Sequence, residues 1–589
     1  MSNKLTYALA GLLILVMFFA AFFSVKQDSL TFDELAHIPA GYSYLTQKDY
    51  RVNPEHPPLL KDISAIPLVF LNLNFPTQSQ TWLQEGSAPA WWVQFDLGTE
   101  FIYESSNNPL QIIHWARFPM IILTLLFGLF IFKWAKELAG NKAALGVLII
   151  YCFSPTILAN GRLVTTDVGA AFGAAIATYF WLKFIYKPKF LNIILAAIFF
   201  GIAMICKFSL VLLIPFFAII TIIYSLLFSE PKKKIGNLIG YVVKAIVIGL
   251  LALIFIIWPI YQFHIQNYPQ EQQKRDTISD LYTSDTFAPL KEFDIWMADQ
   301  PALRPFSQYL RGILMASQRT IFGNTVYFLG EISSSAWWYY FPIIFLLKVP
   351  TAFLIMGLIM LLGLIFLIFK HGLRLSEWIK NNFTVFSMLL FVIIYWLTAI
   401  FSNLNIGIRH LLPSIPFIFI LVIIGLKSVI EALKGKAKKI LISVIIILFA
   451  WFVASSVISY PHYISFYNEI SGGSELGYKY AVDSNYDWGQ DFYALVNFVN
   501  ENNIDKIYLD YFGGEDPEYW LGNRYVQLKP KEIKKAPVGW VAVSVNQLQG
   551  GIAKPVPGFD QETGYYDWLL EYDPVARMGD TIFVYHIND

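Results

Sequence analysis

Thr31–Lys61 reads TFDELAHIPAGYSYLTQKDYRVNPEHPPLLK. It sets Asp33, Glu34, His37, Glu55, His56 and Lys61 between an apolar first helix and a second apolar rise. Ionisable groups so close to a bilayer are costly to place, and where they occur they mark chemistry or transport. The stretch reads as half of an active site on the outer face of a membrane-embedded chain.

Composition supports the membrane setting. Of 589 residues, 56% are hydrophobic and 14% charged, and mean hydropathy is +0.51, which excludes an ordinary soluble protein. A net charge of +1 implies no bulk attraction to nucleic acid. Cys152 and Cys206 are the only cysteines and both lie in apolar runs, so neither a disulfide framework nor a cysteine zinc site is expected. Aromatic residues reach 17%, which suits two interfacial belts.

Working outward, apolar runs of about 20 residues are span candidates. They fall near 5–25, 116–134, 143–160, 166–186, 190–206, 208–229, 238–262, 341–369, 383–401, 411–429 and 438–460. The run from Phe190 to Phe228 is too long for one span and is split at Lys207. Met1–Val25 shows no small-residue cleavage site and reads as a retained first helix. Lysines recur in alternate loops, as at Lys133, Lys136 and Lys142, then Lys183, Lys187 and Lys189, then Lys232 to Lys234. By the positive-inside pattern these loops are cytoplasmic. The active site and the C-terminus are then extracytoplasmic in a multi-pass cell-membrane protein.

The expected fold class is a polytopic α-helical membrane protein of about eleven spans with a C-terminal extracytoplasmic α/β domain. Residues 1–460 form the membrane domain, with outer segments 26–115 and 263–340, and 461–589 form the soluble domain. In that tail Gly-Gly turns separate apolar runs at Lys506–Tyr511, Trp540–Val545 and Thr581–Tyr585, which read as strands. Leu495–Asn500 reads as the end of a helix.

Seven cations depart from the orientation pattern. Lys61, Arg117, Arg162, Lys207, Lys348, Arg409 and His410 all sit near outer helix ends. Any one of them can be a snorkelling or paired interfacial residue. As a set they read as a basic pocket for a lipid phosphate or pyrophosphate.

Among the acids, Asp33 and Glu34 follow Thr31, a plausible helix cap. If AHIPAGYSYL is helical, Asp33 and His37 share a face and Glu34 points about 100° away. Both carboxylates also suit a helix N-terminus. A general base must be an ionised carboxylate within reach of a hydroxyl, and Asp33 is the first choice, with Glu34 as the second catalytic candidate. Pro57 and Pro58 stiffen the corner that presents Glu55 and His56, and Pro58 opens a helix carrying Lys61. An Asp/His/Glu/His set is also compatible with a divalent metal, although the spacing matches no specific metal motif. No cofactor is otherwise indicated. Asp483, Asp487 and Trp488 sit among amides in the tail. That composition is common at sugar contacts and equally ordinary on a domain surface. With His37 they are the candidates for acceptor or sugar contacts.

The Asp33-Glu34 pair, the Glu55–Pro58 turn (EHPP), Arg117 and the Asn405–Pro413 stretch (NIGIRHLLP) together resemble the glycosyltransferases of the GT-C fold. The resemblance is to the protein O-mannosyltransferase (family 39) group and its bacterial relatives, including the aminoarabinose transferases, and it covers roughly 1–460. It implies a sugar donor carried on a polyprenyl phosphate and transfer to a hydroxyl acceptor with inversion. The sugar is mannose or another hexose or pentose, and the acceptor a protein, lipid or glycan. On this chain the resemblance makes Asp33 the base and places Glu55 and His56 at the donor phosphate, with Arg117 helping to position the site. The aminoarabinose enzymes carry a lysine where His56 stands. A transporter or flippase is the alternative; it would set its charges near mid-membrane and show inverted repeats.

Overall fold

The computed structural model describes residues 1–83, 90–281, 288–372, 374–533 and 536–588. The chain is a multi-pass helical membrane protein with a strand-containing C-terminal part. Among the described residues, nine helices are long and apolar enough to cross a membrane, and two shorter apolar helices, Asn141–Cys152 and Phe190–Met204, stand at two further predicted positions. The break expected at Lys207 is present. Phe190–Met204 ends, Lys207 is extended (φ −159°, ψ 137°), and the next helical run starts at Phe208.

Three boundaries differ from expectation, each for a local reason. The run 341–369 is two helices, Tyr340–Lys348 and Thr351–His371, because Pro350 supplies no N–H and holds Val349 extended. The run 143–160 ends at Cys152, and a separate short helix, Pro155–Asn160, begins where Ser154 Oγ accepts from Ile157 N at 3.4 Å. The second long helix runs from Pro109 to Ala139. Its 31 residues span about 46 Å at 1.5 Å per residue, so it projects beyond the apolar layer of about 30 Å.

The opening stretch folds as a helix, Phe32–Thr46, a corner, and a second helix, Leu59–Ala65. Glu34 turns back to accept from Thr31 N at 3.1 Å and Thr31 Oγ1 at 2.9 Å, closing the helix start. The two helices pack backbone to backbone at Gly41, where a methyl group would overlap the Lys61 carbonyl. Pro39 lies inside the first of them and leaves the Leu35 carbonyl without its helical donor. Gly98 packs against that carbonyl with no room for a side chain.

Strands occur in two places. β1 (Val326–Phe328) and β2 (Glu331–Ser333) form a hairpin in the second outer segment. In the tail lie β3 (Ile507–Asp510), β4 (Tyr525–Gln527), β5 (Gly539–Ser544), β6 (Lys554–Pro555), β7 (Ala576–Met578) and β8 (Ile582–Ile587). Five of them make a mixed sheet of order β4-β3-β5-β8-β7, and β6 pairs in parallel with β2. The tail and the second outer segment therefore share a sheet.

The tail also grips the residues just before Asp33. Ser29 N donates to Gln490 O at 2.8 Å, and Phe32 N to Trp488 O at 3.1 Å. Leu30 N donates to the Glu515 carboxylate at 2.6 Å, and Gly514 N to Leu30 O at 3.0 Å.

Candidate active site

A cavity of about 590 Å³ opens between helix ends and the tail. Its wall includes Asp33 and His37, one helical turn apart, with Glu55 and His56 from the corner and Lys207 from the break between spans. Arg409 and His410 enter from a short turn, Ile408–Leu411, between two spans, and Asp483 and Trp488 from the tail. Nine of the sequence-derived candidates thus line one space.

The charges are interlocked. Arg409 Nη1 meets Asp33 Oδ2 at 2.5 Å and Asp167 Oδ2 at 3.7 Å. Lys207 Nζ meets Asp167 Oδ1 at 2.5 Å. The Arg409 guanidinium lies over the Trp488 ring at 4.3 Å, and its Nε has no hydrogen-bond partner among the described residues. Arg319 Nη1 grips both oxygens of Glu55, at 3.0 and 3.2 Å, and Trp91 Nε1 donates to Oε1 at 3.3 Å.

Burial pushes the Asp33 carboxyl up, but Arg409 and then His37 outweigh it and hold Asp33 below the ordinary carboxylate range. It is ionised at neutral pH. Burial lowers His37, and it lowers His56 and His410 well below the usual histidine value. These imidazoles are neutral at pH 7. His37 Nδ1 sits 2.9 Å from Val164 O. A carbonyl only accepts, so Nδ1 carries the hydrogen and Nε2 keeps its lone pair. The His37 and His56 rings meet edge to face at 5.1 Å.

Lys61, Arg117 and Arg162, expected at the donor phosphate, Glu34, expected to be catalytic, and Asp487, expected at acceptor or sugar, do not line the cavity. Lys61 is buried behind the corner. Its ammonium donates to Tyr44 Oη, Asn53 O, Asn53 Oδ1 and His56 O at 2.8–2.9 Å, so it shapes the turn from the rear. Glu34 points into the protein, as its helical offset from Asp33 requires, and pairs with Arg117 at 2.5 Å with both side chains fully buried. It also accepts from Val164 N at 2.9 Å. Arg162 pairs with Asp28 at 2.7 Å and faces Tyr463 of the tail. Of the seven cations read as one basic pocket, Lys207 and Arg409 meet at Asp167, while Arg117 and Arg162 lock the segment before Asp33. Lys348 is buried on Ile464 O and Asn485 O. Asp487 is buried under backbone donors, Gly489 N at 3.2 Å and Asn546 N at 2.8 Å.

Three contributors were not among the sequence-derived candidates. Asp167 carried a signal, as an acid opening a span in the turn Arg162–Asp167. Arg319 and Trp91 carried none, because only the folded outer segments bring them to Glu55. Among the described residues, no group of three or more His, Cys, Asp or Glu side chains is arranged to hold a metal ion.

Helix ends of a polytopic protein thus gather acids and cations around one cavity. Residues 113–258, from the long helix bearing Arg117 through Lys207 and into the second span after it, match the family model described as dolichyl-phosphate-mannose-protein mannosyltransferase. No curated protein matches the chain. Among solved structures it is similar to ArnT from Cupriavidus metallidurans in the apo state (TM-score 0.47, 11% identity, covering 99% of this chain and 98% of that one). It is likewise similar to the same protein bound to undecaprenyl phosphate (TM-score 0.46, 11% identity, 98% and 97%).

Proposed function

We propose that the protein is a membrane glycosyltransferase that moves a sugar from a polyprenyl-phosphate carrier to a hydroxyl acceptor at the outer face, with inversion. One observation carries the reading: ionised Asp33 shares a cavity with Lys207 and Arg409, which stand beside ends of membrane spans, and with Arg319. The family match over 113–258 supports it.

The chemistry follows from the roles. Asp33 takes the acceptor hydroxyl's proton as that oxygen forms a bond to the anomeric carbon. The bond from that carbon to the phosphate oxygen breaks, and the phosphate leaves with the electron pair. Lys207, Arg409 and Arg319 stabilise the departing anion, the larger share of the rate in reactions of this kind. Arg409 links the two halves. In the free enzyme it holds Asp33 ionised but weakens it as a base. A donor phosphate competes for the guanidinium, so Asp33 gains basicity when the donor is in place. The resident ion pairs also keep Lys207 and Arg409 largely desolvated, and all three cations oriented, before the donor arrives.

The test is transfer of labelled sugar from polyprenyl-phosphate donors in isolated membranes. General-base loss costs roughly 10²–10⁴-fold, and we expect a fall in that range for Asp33→Asn with donor binding retained. Transfer at the wild-type rate would sink the assignment. Sidedness is checked separately with Glu532→Cys, an exposed tail position, since Cys152 and Cys206 are buried. Protection from an impermeant maleimide in intact cells would place the tail inside and overturn the orientation.

A further inference from the structure

The cavity has two unlike walls. One comes from span ends and carries Val211, Leu212 and Ala399 beside Lys207. The other is a run of aromatic rings. Trp91 meets Phe95 at 5.1 Å between centroids, Phe95 meets Phe32 at 4.6 Å, and Phe32 stacks on Phe512 at 5.2 Å. All four line the cavity and none is fully buried. They come from three segments: the helix Ala90–Thr99, the start of Phe32–Thr46, and the tail. Phe32 immediately precedes Asp33. Asn53 and Gln94 line the same space, and Asp483 brings a carboxylate from the tail.

The two walls sort the two substrates. The phosphate of the donor belongs with Lys207 and Arg409, and its lipid with the apolar span ends. The base must face the hydroxyl it deprotonates, so the aromatic shelf beside Asp33 belongs to the acceptor. A partly exposed run of contacting rings is unfavourable to leave against water. Ring faces carry the negative lobe of the aromatic quadrupole. They therefore complement a surface of polarised C–H groups, while side-chain amides and a carboxylate at the same site suit hydroxyls. Among the described residues no strand lines the cavity, so an extended peptide would find no sheet edge to join there.

We infer that the acceptor is a carbohydrate, whose sugar rings lie on the Trp91–Phe95–Phe32–Phe512 shelf and present a hydroxyl to Asp33. This rests on the transferase reading above.

The experiment uses cell envelope from gene-null cells as the acceptor, either intact or exhaustively protease-digested, with wild-type membranes and labelled polyprenyl-phosphate sugar. Digested envelope should accept label as well as intact envelope does, and the label should stay out of released peptides. Phe512→Ala should raise the acceptor KM about tenfold with the donor KM unchanged. Phe512→Tyr, which keeps a ring, should restore most of that loss and so separate ring contact from misfolding. Loss of acceptance on digestion, recovery of label in peptides, or an acceptor KM unmoved by Phe512→Ala would each overturn the inference while leaving the transferase reading intact. No gene-dependent label even with intact envelope would overturn the transferase reading, and this inference with it.

Discussion

Replacing Arg117 by Met asks whether the segment before Asp33 is held by one buried ion pair. Arg117 Nε donates to Glu34 Oε1 at 2.9 Å and Nη2 to Oε2 at 2.5 Å. The same guanidinium donates to Val25 O at 3.2 Å, Asp28 O at 2.8 Å and Ser29 O at 2.7 Å. Met fills much of the stem's space but donates nothing. Glu34 would keep Val164 N and the Thr31 donors yet lose its counter-charge, and the Asp28 and Ser29 carbonyls would be orphaned, while Val25 O keeps Asp28 N at 3.3 Å. Breaking one side of a buried pair costs about 3–5 kcal/mol. The orphaned carbonyls put this case at the upper end. Burial pushes Glu34 up, but Arg117 and the donors around it bring its carboxyl below the ordinary value of 4.5. A depressed acid stabilises the fold above that value and loses the effect only as pH falls through its folded pKa, so the full deficit should show at pH 7. The assay is thermal unfolding of the purified protein in detergent, for wild type, Arg117→Met, Glu34→Leu and the double variant. Both single variants should melt well below wild type. The double variant should melt above the worse single one, because no unpaired buried charge remains. Arg117→Met melting with wild type, or a double variant below both single ones, would refute the argument.

Three further outcomes follow from the same geometry. Lys61→Met removes the donor shared by four acceptors behind the Asn53–His56 corner, at about 1–3 kcal/mol per unpaired buried acceptor and less than additively; donor KM should rise more than acceptor KM in steady-state kinetics. Glu515 receives three donors, Leu30 N, Tyr103 Oη and Trp520 Nε1, at 2.6–2.8 Å. Glu515→Gln turns an N–H₂ towards one of them, so kcat should fall several-fold, an order-of-magnitude expectation from a single mispaired buried bond, with the protein still folded by size-exclusion chromatography. Burial raises Asp487 to about 8 from an ordinary 3.8. Between those values the folded state holds a proton that the unfolded state has released, so stability falls as pH rises through that window. Asp487→Asn should flatten this slope in melting temperatures taken from pH 5 to 9, and an unchanged slope would count against the assignment.

Local structure was legible wherever the cause is local. The capped helix after Thr31, the break at Lys207 and the strands around 506–511, 540–545 and 581–585 follow from hydrophobic period, one ill-placed charge and turn residues. The shared face of Asp33 and His37 follows from helical spacing alone, and so does Glu34 pointing elsewhere. The broken run at Val349-Pro350 was equally readable from Pro350 and was missed because an apolar run outweighed a single breaker. Arg319 was not readable in this way. It lies 264 positions from Glu55, the carboxylate it holds, and no periodicity spans such a gap.

The chain's order of residues by itself determined a helical membrane protein, the places where spans begin and break, and a cluster of acids and cations at one set of helix ends. Hydrophobic length and charge cost act on each segment independently of its neighbours. Only the tertiary structure decided which cations face the cavity and which are structural. Arg117 and Arg409 are the same residue type and both are buried, yet one locks Glu34 inside the protein and the other holds Asp33 at the cavity wall. The difference is set by which distant carboxylate each guanidinium meets. That depends on how helices far apart in the chain pack, and on the tail that closes over them.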